Sequence, residues 1–112
     1  MEFDSNKAIY LQIADNICER IISGEMPEGE RIPSVREWGA VIGVNPNTVA
    51  RSYEILTDSG VIFNKRGIGY FVSDNAIENI LREQRREFIA RDLPAFIRKA
   101  NLLGLNLKEY IK

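Results

Sequence analysis

PSVREWGAVIGVNPNTVARSYEILTDSGVIFNKRGIGYFV, residues 33–72, decides the fold. Ser34 with Glu37 three residues later has the pattern of a capping box, in which each residue's side chain accepts from the other's backbone amide. A helix therefore starts at about Val35. Val35, Trp38 and Ile42 recur at helical spacing, and Gly43 supplies the left-handed residue that commonly ends a helix. Asn45 as N-cap and Pro46 at the first helical position then restart the chain. So short a connection, with a glycine in it, is that of a helix-turn-helix.

On the second helix Val49, Tyr53 and Leu56 form one apolar stripe, which predicts burial against the rest of the domain. Asn47, Thr48 and Arg51 are left facing outward. Asparagine bonds adenine, arginine bonds guanine bidentately, and a threonine methyl touches thymine, so these three form a base-reading set at the helix's leading end. A solvated helix face with ordinary capping residues would show the same letters. Residues 60–72 separate the two readings. Gly60 ends the helix, and the β-rich runs Val61-Ile62-Phe63 and Tyr70-Phe71-Val72 are joined by residues 64–69. In that tip Gly67 and Gly69 let the backbone turn and approach another surface closely, while Lys65 and Arg66 bring charge for phosphates. A helix-turn-helix followed by a basic hairpin is a winged helix.

PSVREW, VNPNTVARSYEIL and KRGIGYFV resemble the N-terminal DNA-binding domain of the GntR family of bacterial transcription regulators, over residues 9–72. The VNPNTV start of the second helix and the short tail resemble the family's YtrA-like branch. The resemblance implies DNA contacts by Ser34 and Arg36 at the first helix, by Asn47, Thr48 and Arg51 on the recognition helix, and by Lys65, Arg66, Gly67 and Gly69 in the wing. Pro46 and Ala50 stand where many members carry basic DNA-contacting residues, so base recognition is not to be copied wholesale from those members.

The rest of the chain supports this core. At 112 residues with 45% hydrophobic and 28% charged composition, it is one small domain with an appendage. No apolar run approaches the roughly 20 residues that cross a membrane. The acidic beginning lacks the basic and apolar regions of a signal peptide, which predicts a cytoplasmic protein. The lone Cys18 excludes an internal disulfide and any multi-thiolate metal site, and the absence of histidine removes the commonest ligand and general base. With no phosphate-cradling glycine loop either, neither an enzyme nor a cofactor is expected.

A net charge of −1 sits uneasily with a nucleic-acid partner. The charge is unevenly spread: residues 1–30 carry two basic and seven acidic side chains, residues 31–72 five and three, and the remainder eight and six. The reading segment is locally positive. The low overall basicity favours a rival, a winged helix that docks a protein and not DNA.

Ile9, Ile13, Ile17 and Ile21 repeat every four residues over residues 8–23, which predicts an amphipathic first helix ended by Gly24, with Cys18 as a small interior residue. Arg31-Ile32 is expected to add a short strand beside the hairpin. After the wing, Asn75 and Glu78 have the pattern of a second capping box, opening a helix to about Asp92. Pro94 predicts a kink or restart, and Asn106 with Glu109 a last helical turn. Ile77, Ile80, Leu81, Phe88, Phe96, Ile97 and Leu103 give this tail an apolar face that needs a partner. A second copy of the chain is the simplest one. The tail's arginines alternate with glutamates, as on a solvated or salt-bridged face. The predicted class is thus mainly α with a small β-hairpin (α+β): a winged helix-turn-helix over residues 1–73 and a short helical dimerisation tail over residues 74–112. The expected partners are double-stranded DNA with a palindromic operator and a second copy, with repression of a transport operon implied by the family. A small-molecule effector between tail helices stays open, because no residue set identifies its chemistry.

Overall fold

The computed structural model describes residues 1–111. The chain orders as α1 (Ile9–Ile22), α2 (Val35–Ile42), α3 (Pro46–Asp58), β1 (Ile62–Lys65), β2 (Gly69–Val72), α4 (Ala76–Glu87), a π-helical turn (Phe88–Asp92), α5 (Leu93–Leu102) and a final 3-10 turn (Leu107–Glu109). No helix among the described residues is long and apolar enough to cross a membrane. The residues fall into two compact units, 1–80 and 81–112.

In the first unit α3 packs against both α1 and α2. Val49, Tyr53 and Leu56 lie in the core, as their spacing predicts, with Ile13, Ile17 and Ile21 from α1 and Ile62 and Val72 from the hairpin. Ile9 does not join them and is 45% exposed; Ala14 is buried instead. A strict repeat of four advances about 40° further round the helix at each step than a full turn, so four members cannot all face one core. Tyr53 carries a polar group into this core and satisfies it there: its hydroxyl donates to the Pro33 carbonyl at 2.6 Å. Its ring meets Tyr70 of the hairpin edge-on, centroids 4.9 Å apart. Cys18 is half-buried, and burial, with Asp15 and Glu19 adding repulsion, pushes its thiol up to about 11. It stays protonated and unreactive at neutral pH.

The capping box forms as expected: the Glu37 amide donates to the Ser34 hydroxyl at 3.1 Å, and the Ser34 amide to the Glu37 carboxylate at 3.0 Å. That second bond, the Ser34 hydroxyl and then the nearby Arg31 charge hold the Glu37 carboxyl below its ordinary range. A carboxyl lowered by folding stabilises above its unfolded pKa, and that contribution fades as pH falls through the folded value. The stability gap between wild type and Glu37→Ala is therefore expected to be full at pH 7 and to narrow in acid, measured by thermal melts across pH. Ser34→Ala should cost about 1 kcal/mol at neutral pH.

β1 and β2 pair antiparallel with Ile62 opposite Val72 and Lys65 opposite Gly69. The turn is thus only residues 66–68, shorter than the expected 64–69. The anticipated third strand is a single bridge, Arg31 opposite Phe71, flanked by Ile32 N–H to Tyr70 O at 3.0 Å and Val72 N–H to Glu30 O at 2.9 Å. The first turn of α4 closes this unit. Its Ile77 amide donates at 3.0 Å to the Glu28 carboxylate from the α1–α2 connection, a partner that local sequence does not announce. Ala76 and Ile80 are buried in the core and Ile77 packs on it. This corrects the placement of Ile80 on a dimer face, since it is buried in the winged helix itself, whereas Ile77 stays half-buried at the edge of that core.

In the second unit Pro94 does not break the helix. The Leu93 amide donates to the Phe88 carbonyl five residues back, and the widened π turn carries the chain past the proline. Glu83 pairs with Arg86, and Glu87 with Arg91 at 3.8 Å, so part of the arginine content is spent along the helix. Asn106 caps the last turn by accepting from the Lys108 amide at 3.2 Å.

Candidate nucleic-acid interface

The leading end of α3 is built by its cap. The Asn45 side chain accepts from the Asn47 amide at 2.8 Å, so Asn45 and not Asn47 is consumed in starting the helix. The Asn47 side chain is exposed, as is Arg51 one turn on, with Thr48 half-buried beside them. Gly43, at φ +72°, makes the sharp exit from α2 that brings α3 in so soon. Arg36 stands exposed in the first turn of α2. Ser34 beside it is committed to the cap through its acceptor lone pair, but its hydroxyl proton remains available to a phosphate oxygen.

Lys65 and Arg66 are exposed at the wing. The Lys65 ammonium lies 4.9 Å from the Phe71 ring centroid, and Phe71 stacks on Phe63 at 5.7 Å. Gly67, at φ +80°, forms the tip. Gly69 also has a role inside the fold. It sits in β2, and a Cβ there would come within 2.9 Å of the Arg31 guanidinium nitrogen Nε. The missing side chain thus lets the Arg31 guanidinium lie against β2 next to the turn of the wing. Arg31 is the cation that sequence reasoning overlooks: in the letters it is visible only as a strand residue, and its place is set by the bridge to Phe71.

Glu54 and Asp58, the acidic residues of α3, line an open groove of about 360 Å³ with Ala50, Asn64 and Tyr70. They lie beyond the Asn47–Arg51 turn, toward the far end of the helix. No group of three or more acidic or cysteine side chains able to hold a metal occurs among the described residues. The arrangement offers exposed hydrogen-bonding and cationic side chains on a rigid helix end and a hairpin. Such a surface suits a polyanionic duplex.

Residues 9–72 match the family model for bacterial regulatory proteins of the gntR family. The chain belongs to the GntR family. It is a DNA-binding transcriptional regulator, and the family and its characterised relatives are regulators, not enzymes. Among relatives of this GntR chain, the HTH-type transcriptional repressor YtrA of Bacillus subtilis is 37% identical over 111 residues, covering 96% of this chain and 85% of that one. The HTH-type transcriptional regulator YhcF of the same organism is 36% identical, covering 99% and 90%. A crystal structure of a GntR-family transcriptional regulator from Bacteroides thetaiotaomicron superposes with a TM-score of 0.82 at 47% identity, covering 92% of this chain and 89% of that one. YtrA from Sulfolobus acidocaldarius, a GntR-family transcription factor, gives a TM-score of 0.62 at 37% identity, covering 80% and 94%.

Proposed function

We propose that this GntR regulator is a cytoplasmic repressor that binds a palindromic operator as a homodimer and excludes polymerase, with a neighbouring transport operon as its target. The observation that carries this reading is the Asn47–Thr48–Arg51 turn at the start of α3, with Asn47 and Arg51 exposed, on the same unit as Arg36 and the Lys65–Arg66 wing. In a dimer, two such helices would enter successive major grooves about 34 Å apart, with the wings on flanking backbone or minor groove. The similarity to a named repressor supports the sign of regulation. The exposed apolar side chains of the tail, Phe88, Phe96, Ile97 and Leu103 among them, support association with a second copy. Leu81 is half-buried and contributes less.

Binding of the purified protein to its own upstream intergenic DNA, followed by fluorescence anisotropy across salt concentrations, tests this. If Arg36, Lys65 and Arg66 of two protomers each neutralise a phosphate, the affinity falls by about 5 log units per tenfold rise in salt. No binding to that DNA or to random duplexes, at any salt, would overturn the reading and favour a winged helix that docks a protein.

A further inference from the structure

Tyr10 lies outside every motif that marks the reading helix, yet it meets that helix twice. Its backbone carbonyl accepts from the Ser52 hydroxyl at 2.6 Å, and Ser52 has no exposed surface. Its ring faces Arg51, whose guanidinium carbon is 4.0 Å from the ring centroid. Arg51 and Ser52 are consecutive on α3, so one residue of α1 fixes both the backbone of that turn and the side chain projecting from it.

The mode of contact matters. An aromatic ring takes the flat face of a guanidinium and leaves its in-plane N–H donors unspent, whereas a carboxylate partner would occupy them. A long side chain held this way has already given up part of the rotamer freedom that binding would otherwise remove.

We propose that Tyr10 is a positioning residue for DNA recognition: its ring holds Arg51 in a fixed orientation with the donor edge free for a base or phosphate. The inference rests on the reading of α3 as the DNA-facing helix. It adds a specificity device supplied by α1, the helix farthest in sequence from the wing.

The chain is titrated with its upstream duplex as wild type, Tyr10→Phe, Tyr10→Leu, Arg51→Ala and the Tyr10→Leu/Arg51→Ala double variant. Tyr10→Leu is expected to weaken binding about 3- to 10-fold, with rescue by Tyr10→Phe, which keeps the ring. In the Arg51→Ala background Tyr10→Leu should cost nothing further. A silent Tyr10→Leu, or an equal loss with and without Arg51, overturns the inference and leaves Tyr10 as packing. A second measurement stands even if Tyr10→Leu fails to fold. Proton NMR of wild type and Tyr10→Phe should show the Arg51 δ and ε resonances displaced upfield by the ring current, free and in the complex. Loss of that displacement on binding overturns the inference. Wild type that binds no duplex at all defeats the repressor reading and this inference together; wild type that binds while the Tyr10 variants behave as packing mutants defeats only this one.

Discussion

Gly39→Ala is expected to destabilise the first unit by about 1–3 kcal/mol and to weaken operator binding by more than tenfold. Gly39 is buried on α2, and a Cβ at that position would stand 2.7 Å from the Val44 carbonyl oxygen, with Val49 Cγ2 at 3.6 Å and Pro46 Cα at 3.7 Å. The obstacle is backbone, not the end of a flexible side chain. Val44 is also tied to the glycine by its own amide, which donates to the Gly39 carbonyl at 2.9 Å. The connection cannot swing away without releasing that bond and moving the start of α3. Alanine's better helix propensity, worth about 1 kcal/mol over glycine in an exposed helix, works against this loss but does not relieve the contact. Because the displaced element is the one that carries Asn47 and Arg51, binding suffers beyond the loss of folded protein. Chemical denaturation and anisotropy on the same sample separate the two effects. A Gly39→Ala protein as stable as wild type and with unchanged affinity would show that the α2–α3 corner has slack the structure does not suggest.

That corner also shows which parts of the molecule are legible in the letters. Ser34, Glu37, Gly43, Asn45 and Pro46 act within three residues of themselves, through caps and φ preferences, so their roles follow from sequence and reappear in the structure. The stripe of Val49, Tyr53 and Leu56 is legible for the same reason, as a periodicity of one helix. What escapes is whatever depends on a partner far along the chain. Gly39 matters because of where Val44 returns, and Glu28 reaches the start of α4 across 49 residues. Ile80 looks like tail and is core, since only the assembled winged helix reveals a gap that one turn of α4 must fill. The candidate site divides in the same way: Asn47, Arg51, Lys65 and Arg66 are recognisable by type and local position, whereas Arg31 over Gly69 and Tyr10 beneath Arg51 exist only as tertiary contacts.

Leu103→Glu is expected to convert the protein from dimer to monomer and to lower affinity for a two-half-site operator by about 10²–10⁴-fold. Leu103 is 64% exposed, so a carboxylate there costs little in an isolated chain. It lines, with Phe96, Ala100, Leu105, Leu107 and Tyr110, an almost wholly apolar hollow of about 220 Å³ within the second unit. Lys99 also lines the hollow, but in an interface formed by this surface a carboxylate would still lose its water, and an ion pair with that lysine does not repay the desolvation of both charges as well as packed apolar side chains do. The loss of affinity arises without any change at α3 or the wing. Two linked reading heads bind a two-part site at high effective concentration, and unlinking them leaves only the affinity of one head for one half-site. Three measurements on one preparation decide the matter: sedimentation for mass, anisotropy on a full operator, and anisotropy on a single half-site. The expected pattern is a monomer with weakened full-site binding and unchanged half-site binding. A Leu103→Glu protein that remains dimeric with full affinity would place the self-association surface elsewhere. A wild type that is monomeric would remove the palindromic operator from the proposal altogether, because paired half-sites gain nothing from a reader that comes singly.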